Sequence, residues 1–253
     1  MRNLFFILGC LAFFTFSTKA QVVNIEAQRI KTDTTGWAGS LGGSFNWTQN
    51  VDQVFAINAT AHLQYKKNKN LYLLLGDYSF LKGADKKFID NAFVHFRFNH
   101  KFSELFRGEL FTQLQNNKIS KIDTRFLIGA GPRLKLPASK TLKIYLGILF
   151  MYEYEKELLD PPIYKNDARN SSYLSFTYKP NDRVEIISTT FYQPKLTYFN
   201  DFRILNQETV VIFISKKLAV TMDFNYLYDQ FPVEGVPQIN ASYSTGFKYV
   251  FNP

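Results

Sequence analysis

The sequence predicts an all-β protein: a transmembrane, antiparallel, up-and-down β-barrel of about twelve strands that follows a cleaved signal peptide. Side chains alternate without a break between two faces, one mainly apolar and one mainly polar, from Ile239 to Phe251, and this period of two indicates a strand. The first 20 residues have the pattern of an export signal. Between these ends, no apolar run approaches the roughly 20 residues that a membrane helix needs.

The export signal has three parts. Arg2 gives a basic start, residues 4–16 form an apolar run that is too short to span a bilayer, and Thr18-Lys19-Ala20 places small residues at the first and third positions before a cut. We therefore predict a signal peptide over residues 1–20, a periplasmic N-terminal segment over 21–35 and the barrel over 36–253.

The sole cysteine, Cys10, lies inside the predicted signal. Cleavage after Ala20 would leave a mature chain without thiol, disulfide or thiolate metal site. A lipoprotein remains an alternative because Ile7-Leu8-Gly9-Cys10 resembles a lipobox, although the apolar run continues past the cysteine.

Composition narrows the class of protein. Hydrophobic residues make up 46% of the chain and aromatics 17%, and they are spread along it, as a barrel with alternating faces requires. A soluble β-sandwich or lipocalin-like barrel also alternates, but its apolar face points inward. The formal charge of +9 falls to about +7 without Arg2 and Lys19, and much of the excess lies in turns, so we predict no nucleic-acid partner.

Twelve segments alternate in this way, and the even number suits a single-chain bacterial barrel. They cover approximately residues 37–47, 54–65, 71–80, 88–98, 104–115, 123–136, 142–155, 170–178, 184–192, 202–216, 218–228 and 239–251. The seventh is the clearest internal strand. Ile148 is expected to face lipid, where arginine would cost roughly 2–4 kcal/mol, whereas Gly147 faces inward and a small polar side chain there is expected to be milder.

The connections are predicted to differ between the two ends. Five short ones, near residues 66–70, 99–103, 137–141, 180–183 and 216–218, follow the even-numbered segments, whereas 156–169, 195–201 and 229–238 are longer. Short turns on one side and longer loops on the other are typical of bacterial outer-membrane barrels, in which the short turns are periplasmic.

The last strand resembles the closing strand of such barrels. In those proteins a polar residue, a glycine and two spaced aromatics form an insertion signal, and Ser244, Gly246, Tyr249 and Phe251 match it, although Asn252-Pro253 trail behind. The resemblance implies a bacterial outer-membrane location, contact with outer-membrane lipid and recognition by the barrel assembly machinery.

Four further motifs resemble landmarks of one family. That family is the salt-induced outer-membrane proteins of unknown function, which share a single barrel domain, and the resemblance implies the fold and the membrane but no activity. The motifs are Gly36-Trp37-Ala38-Gly39-Ser40-Leu41, Leu127-Ile128-Gly129-Ala130-Gly131-Pro132-Arg133-Leu134, Asp201-Phe202-Arg203-Ile204, and Tyr226-Leu227-Tyr228-Asp229 with Pro232 and Gly235.

The predicted inner face carries many charges. Such charges must be hydrated or paired, because a bare buried charge is costly. Adjacent strands could pair several of them into a structural network, or leave a polar passage whose slight cationic excess favours anions. The residues predicted to line the lumen, besides Asp77, are Arg97, Arg107, Glu109, Arg125, Arg133, Lys135, Lys143, Glu153, Glu155, Asp223 and Lys248.

No catalytic set is evident. His62 and His95 are predicted to face inward and His100 to lie in a turn, but spacing places no serine beside any of them. Glu153, Glu155, Glu157 and Asp160 could bind calcium, yet they run from a strand into a loop rather than forming an ordered calcium loop. We therefore expect no enzyme, cofactor or metal.

Two functional hypotheses follow. The first is a monomeric small passive pore or binding lumen for a small polar or anionic solute. The second is a structural or surface-interaction barrel with an ion-paired, closed lumen, whose external loops contact polysaccharide or a partner.

Overall fold

The chain forms a closed antiparallel barrel of twelve strands. A computed structural model describes residues 35–49, 53–83 and 86–251. Each strand pairs with its neighbours in sequence, and the twelfth returns to the first. The predicted fold and strand number are confirmed. The predicted signal peptide and the rest of the chain before Thr35 lie outside the described residues, as do Asn252 and Pro253.

The strands are 12 to 18 residues long, which suits tilted strands that cross a bilayer. Their bounds are β1 Gly36–Gln49, β2 Gln53–Lys67, β3 Asn70–Gly83, β4 Lys86–Lys101, β5 Phe106–Asn117, β6 Ile122–Leu136, β7 Leu142–Glu157, β8 Tyr164–Asn181, β9 Val184–Lys195, β10 Tyr198–Phe213, β11 Leu218–Asp229 and β12 Ile239–Phe251. Within these described ranges the chain has no helix long and apolar enough to cross a membrane.

Two predicted loops are strand instead. β8 begins six residues before the predicted segment, because Asp167 and Lys165 pair in register with Glu153 and Glu155 of β7. β10 begins at Tyr198 rather than at residue 202. In both places the strands extend through polar and charged residues, so apolar alternation does not mark their starts.

This correction weakens the predicted difference between the ends. The end where β1 begins and β12 ends, which we call the termini end, has connections of two to five residues. The opposite end has connections of two to nine residues, and only 158–163 and 230–238 exceed five. We call it the long-loop end.

The outer surface is apolar. On β7, Ile148 and Phe150 are 40% and 56% exposed, whereas Leu149 and Met151 between them are 1% and 4% exposed and point inward. Large apolar side chains are exposed in this way on all twelve strands. A soluble barrel would expose polar residues on this face, so the fold is that of a transmembrane barrel.

The interior is packed over much of its length. Three apolar clusters fill it: Leu71, Leu73, Leu75 and Phe93; Ile187, Val211 and Ala219; and Phe111, Leu127, Leu149, Met151, Tyr173, Phe191 and Leu205. β3 is apolar on both faces, because Leu71, Leu73 and Leu75 point inward and Tyr72 and Leu74 lie on its outer side.

One seam of the barrel differs from the others. Within the described residues, β1 and β12 pair through three residues each, Gly39 with Phe251, Ser40 with Val250 and Leu41 with Tyr249. β11 and β12 share eleven pairs, and β1 and β2 share fourteen. Among the described residues, the strands are therefore joined at the termini end and unpaired toward the long-loop end.

Candidate lumen site

Glu109 of β5 is the centre of a buried network. Its carboxylate accepts hydrogen bonds from Arg97 Nη1 at 2.9 Å, Asn99 Nδ2 at 2.8 Å, Arg133 Nη1 at 3.2 Å and Tyr173 Oη at 2.7 Å. All five side chains are at least 95% buried. One carboxylate thus holds two guanidinium groups, a paired arrangement that a dry interior requires.

Glycines on β6 and β7 make room for this packing. A Cβ atom on Gly147 would lie 2.1 Å from the ring of Tyr173, and one on Gly129 would lie 2.6 Å from the ring of Phe111. The bare backbone at Gly147 therefore lets the Tyr173 ring lie flat enough for its hydroxyl to reach Glu109.

A second network lies nearer the long-loop end. Arg203 of β10 donates from Nη1 to Glu153 at 2.7 Å and from Nε to Asp229 at 2.9 Å. Arg125 pairs with Glu155, and Arg169 lies 2.9 Å from Asp201. Five strands, from β6 to β8 and β10 to β11, thus contribute three positive and four negative charges to this network.

The ion pairs of these carboxylates bear on whether the acidic residues near the end of β7 could bind calcium. Glu153 and Glu155 are engaged by arginines, and Glu157 pairs with Lys165. Among the residues that the structure describes, no group of three or more His, Cys, Asp or Glu side chains is arranged to hold a metal ion.

Between the two networks lies a cavity of about 120 Å³. At roughly 10–15 Å³ for each water, it has room for about eight to twelve water molecules or a small solute. Its apolar part comes from Phe111, Leu127, Met151, Phe191, Leu205 and Leu227. Its polar part includes Arg97, Arg125, Arg203, Glu153, Glu155 and Asp229 together with Gln113, Gln115, Gln193 and Gln238.

The 230–238 loop covers the cavity at the long-loop end. Phe231, Pro232, Val233, Val236 and Pro237 line its upper side, and Val233 is only 6% exposed. Lys121, in the connection between β5 and β6, donates from Nζ to the Glu234 carbonyl at 2.7 Å. Gln230 N donates to Phe202 O at 3.1 Å. The loop is therefore folded over the barrel mouth and held at both sides.

The predicted lumen residues divide into groups. Arg97, Glu109 and Arg133 belong to the first network, and Arg125, Glu153 and Glu155 to the second. Arg107 lies 5.4 Å from the ring centroid of Tyr145, and Asp223 accepts from Thr209 at 2.7 Å. Lys135, Lys143, Asp77 and Lys248 are half-buried on the same face and belong to neither group.

Sequence reasoning missed Arg169, Asp167, Arg203 and Asp229 as interior residues. Arg169 and Asp167 fell in a predicted loop, so they were given no facing. Arg203 and Asp229 appeared only as parts of family motifs. Strand parity was the available signal, because residues 203, 205 and 207 are all buried on the inner face of β10.

The predicted assembly signal lies on β12. Gly246 is half-buried, Tyr249 is 50% exposed, and Phe251 is the last strand residue, paired with Gly39.

The sequence and fold were compared with known proteins. Residues 18–251 match the profile of a family described as "Protein of unknown function, DUF481". No curated protein sequence matches the chain.

Solved structures are similar to the chain at low identity. The NanC porin is 14% identical with a TM-score of 0.54, over 84% of this chain and 98% of that one. The translocator domain of the autotransporter NalP from Neisseria meningitidis is 11% identical with a TM-score of 0.49, over 84% and 86%. The KdgM porin is 10% identical with a TM-score of 0.47, over 86% and 100%.

Proposed function

The chain belongs to the DUF481 family of unknown function, and we propose that it is a bacterial outer-membrane barrel whose lumen binds a small amphipathic solute. The observation that carries this proposal is the cavity beneath the 230–238 loop, which has apolar side chains on one side and charged and amide groups on the other. A pocket with an apolar body and a few placed polar groups is the usual form of a small-molecule site.

The charges that line the cavity favour a solute with a neutral polar group over an anionic solute. Arg97, Arg125 and Arg203 line the cavity together with Glu153, Glu155 and Asp229, so the opposite charges are equal in number. Because Arg125 and Arg203 are engaged by the cavity carboxylates and Arg97 by Glu109, little cationic excess is left to attract an anion. The glutamine amides offer both donors and acceptors to hydroxyl groups.

Packing favours a binding lumen over a permanently open pore. Leu71, Leu73 and Leu75 point inward from β3, and the Glu109 network is buried beside them. An open aqueous pore needs a continuous polar path, and apolar groups at these positions oppose it.

Calorimetry on the barrel refolded in detergent micelles tests this proposal with benzyl alcohol, benzoate and glucose as probes. We expect benzyl alcohol to bind better than benzoate or glucose. Leu227→Trp should abolish binding, because it fills the cavity, whereas Asn225→Trp on the same face of β11, outside the cavity lining, should retain it. Absence of benzyl alcohol binding to the wild-type barrel would refute the proposal.

Conductance in planar bilayers separates the alternatives. A binding lumen should give no steps, whereas the small passive pore predicted from the sequence should give small, stable ones. A barrel that neither conducts nor binds any of the three probes would favour the second candidate, a structural or surface-interaction barrel. The ion-paired networks support that candidate, since they resemble a filled interior.

We propose no covalent chemistry for the barrel. His95 contacts Gln113 at 3.0 Å and Arg97 at 3.4 Å, which are not the partners of a catalytic base with a nucleophile. Assembly as a monomer by the barrel assembly machinery, in contact with outer-membrane lipid, is part of the same proposal.

A further inference from the structure

The seam between β1 and β12 leaves two strand edges that do not pair with each other. Residues 42–49 of β1 and 239–248 of β12 make no ladder pairs with each other, although both belong to regular strands that pair fully on their other sides. Backbone groups left unpaired in hydrocarbon are costly, so open sheet edges do not persist against lipid tails. Such an edge requires water, a bound molecule or a second, closed arrangement.

The two edges are suited to close. If the register of Leu41 with Tyr249 continues, Trp47 lies opposite Tyr243 on the outside and Asn46 lies opposite Ser244 on the inside. Aromatic pairs on the lipid face and small polar pairs on the inner face are favourable cross-strand combinations. The sequence is therefore compatible with a closed seam, in which β1 and β12 pair along their length, as well as with the open seam.

The open seam exposes the inner wall. Ser44 and Asn46 of β1 and Asn58 and Thr60 of β2 are exposed although they lie on the inner face, where most residues of β3 to β10 are buried. These short polar side chains line an exposed cleft, with Phe45, Trp47 and Phe247 exposed on the lipid side.

The cavity reaches the seam at Asn240. Asn240 lines the cavity and also belongs to the part of β12 that is unpaired with β1. By contrast, the 230–238 loop covers the direct route from the long-loop end, and its Val233 is nearly fully buried.

We propose that the β1–β12 seam is a lateral gate, through which a small uncharged amphipathic solute passes between the outer-membrane bilayer and the cavity. The inference deepens the proposed function, because the ligand class rests on the binding lumen. The opening itself rests on the strand pairing alone.

Paired cysteines test whether the seam closes. With Cys10 replaced by alanine, Asn46→Cys with Ser244→Cys places thiols across the open part, and Ser40→Cys with Val250→Cys places them across the paired part. Directly opposed residues of an antiparallel pair lie at a distance that a disulfide can bridge. We expect intramolecular disulfides in both variants. Failure of the 46–244 disulfide where 40–250 forms would overturn the gate, as would disulfide-linked dimers, which would make the seam an interface between copies.

Labelling of a cavity cysteine then tests the route. In proteoliposomes, Leu227→Cys should react quickly with N-phenylmaleimide, a small uncharged reagent that partitions into lipid, and slowly with a charged, water-soluble sulfonate reagent. Locking the seam at 46–244 should slow N-phenylmaleimide at least tenfold, reduction should restore the rate, and locking at 40–250 should leave it unchanged. An unchanged rate in the 46–244 form would refute the lateral route.

Calorimetry with benzyl alcohol on the oxidised 46–244 form, with Leu227 intact, separates the two ideas. Retained equilibrium binding with an unchanged labelling rate refutes the gate alone. If benzyl alcohol does not bind the unlocked wild-type barrel, the proposed function is refuted. A slower N-phenylmaleimide rate in the 46–244 form than in the unlocked form would then still support the gate, but not its ligand class.

Discussion

At Gly147 the absence of a side chain makes room for the Tyr173 ring, and through that ring for the hydrogen bond to Glu109. The inward facing of Gly147 was predicted from alternation, but its cross-strand neighbour on β8, Tyr173, was not, because alternation along one strand does not give its register with the next. A small side chain at Gly147 was expected only to cost less than an arginine at Ile148, and the contact with Tyr173 indicates that it still has a cost.

We predict that Gly147→Ala lowers the free energy of unfolding by about 1–3 kcal/mol, because the added methyl group forces the Tyr173 ring to move. Urea titration of the barrel in lipid vesicles measures this. Gly76→Ala is the matched control, since its Cβ would have no neighbour closer than 3.9 Å. Equal effects of the two substitutions would contradict the steric explanation.

Strands were predictable where one face is apolar and one polar. The bounds of β12 match the sequence-based segment, and β7 extends two residues beyond it, since both keep a strict alternation. The start of β8 was missed because its pairing with β7 there joins charged residues, such as Asp167 opposite Glu153. The charged interior was only partly predictable. The inward facing of a side chain follows from its position in the alternation, whereas its ion-pair partner depends on the register between strands.

The closing strand gives a prediction at the scale of one element. Phe251→Ala should lower the amount of barrel in the outer membrane, because it removes the aromatic of the predicted insertion signal while leaving the backbone pair with Gly39 in place. Tyr243→Ala, on the same face of β12 but outside the signal, is the control. Immunoblots of outer-membrane fractions measure both, and equal levels would mean that Phe251 is not recognised by the assembly machinery.

Deletions on this strand separate the signal from the seam. Removing residues 250–253 eliminates Phe251 and two of the three β1–β12 pairs in the described residues. Removing 252–253 leaves Phe251 and these pairs in place. We expect the larger deletion to be more harmful than Phe251→Ala, because it also opens the barrel.

For the whole molecule, the apolar exterior and filled interior are consistent with a barrel held in a membrane by its outer face and closed by side chains within. Which end faces the outside is a separate question. The 158–163 loop is one of the two long connections, and residues 160–163 are exposed.

An epitope inserted after Pro161 should leave the barrel folded and should be labelled by antibody on intact cells. An epitope inserted after Pro137, in the 137–141 turn at the opposite end, should be labelled only after permeabilisation. Reversed labelling of two folded variants would reverse the orientation of the barrel.

The two apolar faces of β3 have a consequence before the barrel exists. Leu71-Tyr72-Leu73-Leu74-Leu75 forms one unbroken apolar run, and an exported chain must carry it unfolded through water. Short, uncharged runs with high strand propensity drive aggregation unless charges flank them. Lys66 and Lys67 at the end of β2 and Lys69 in the following turn precede this run, so we expect these lysines to help keep an unfolded exported chain soluble.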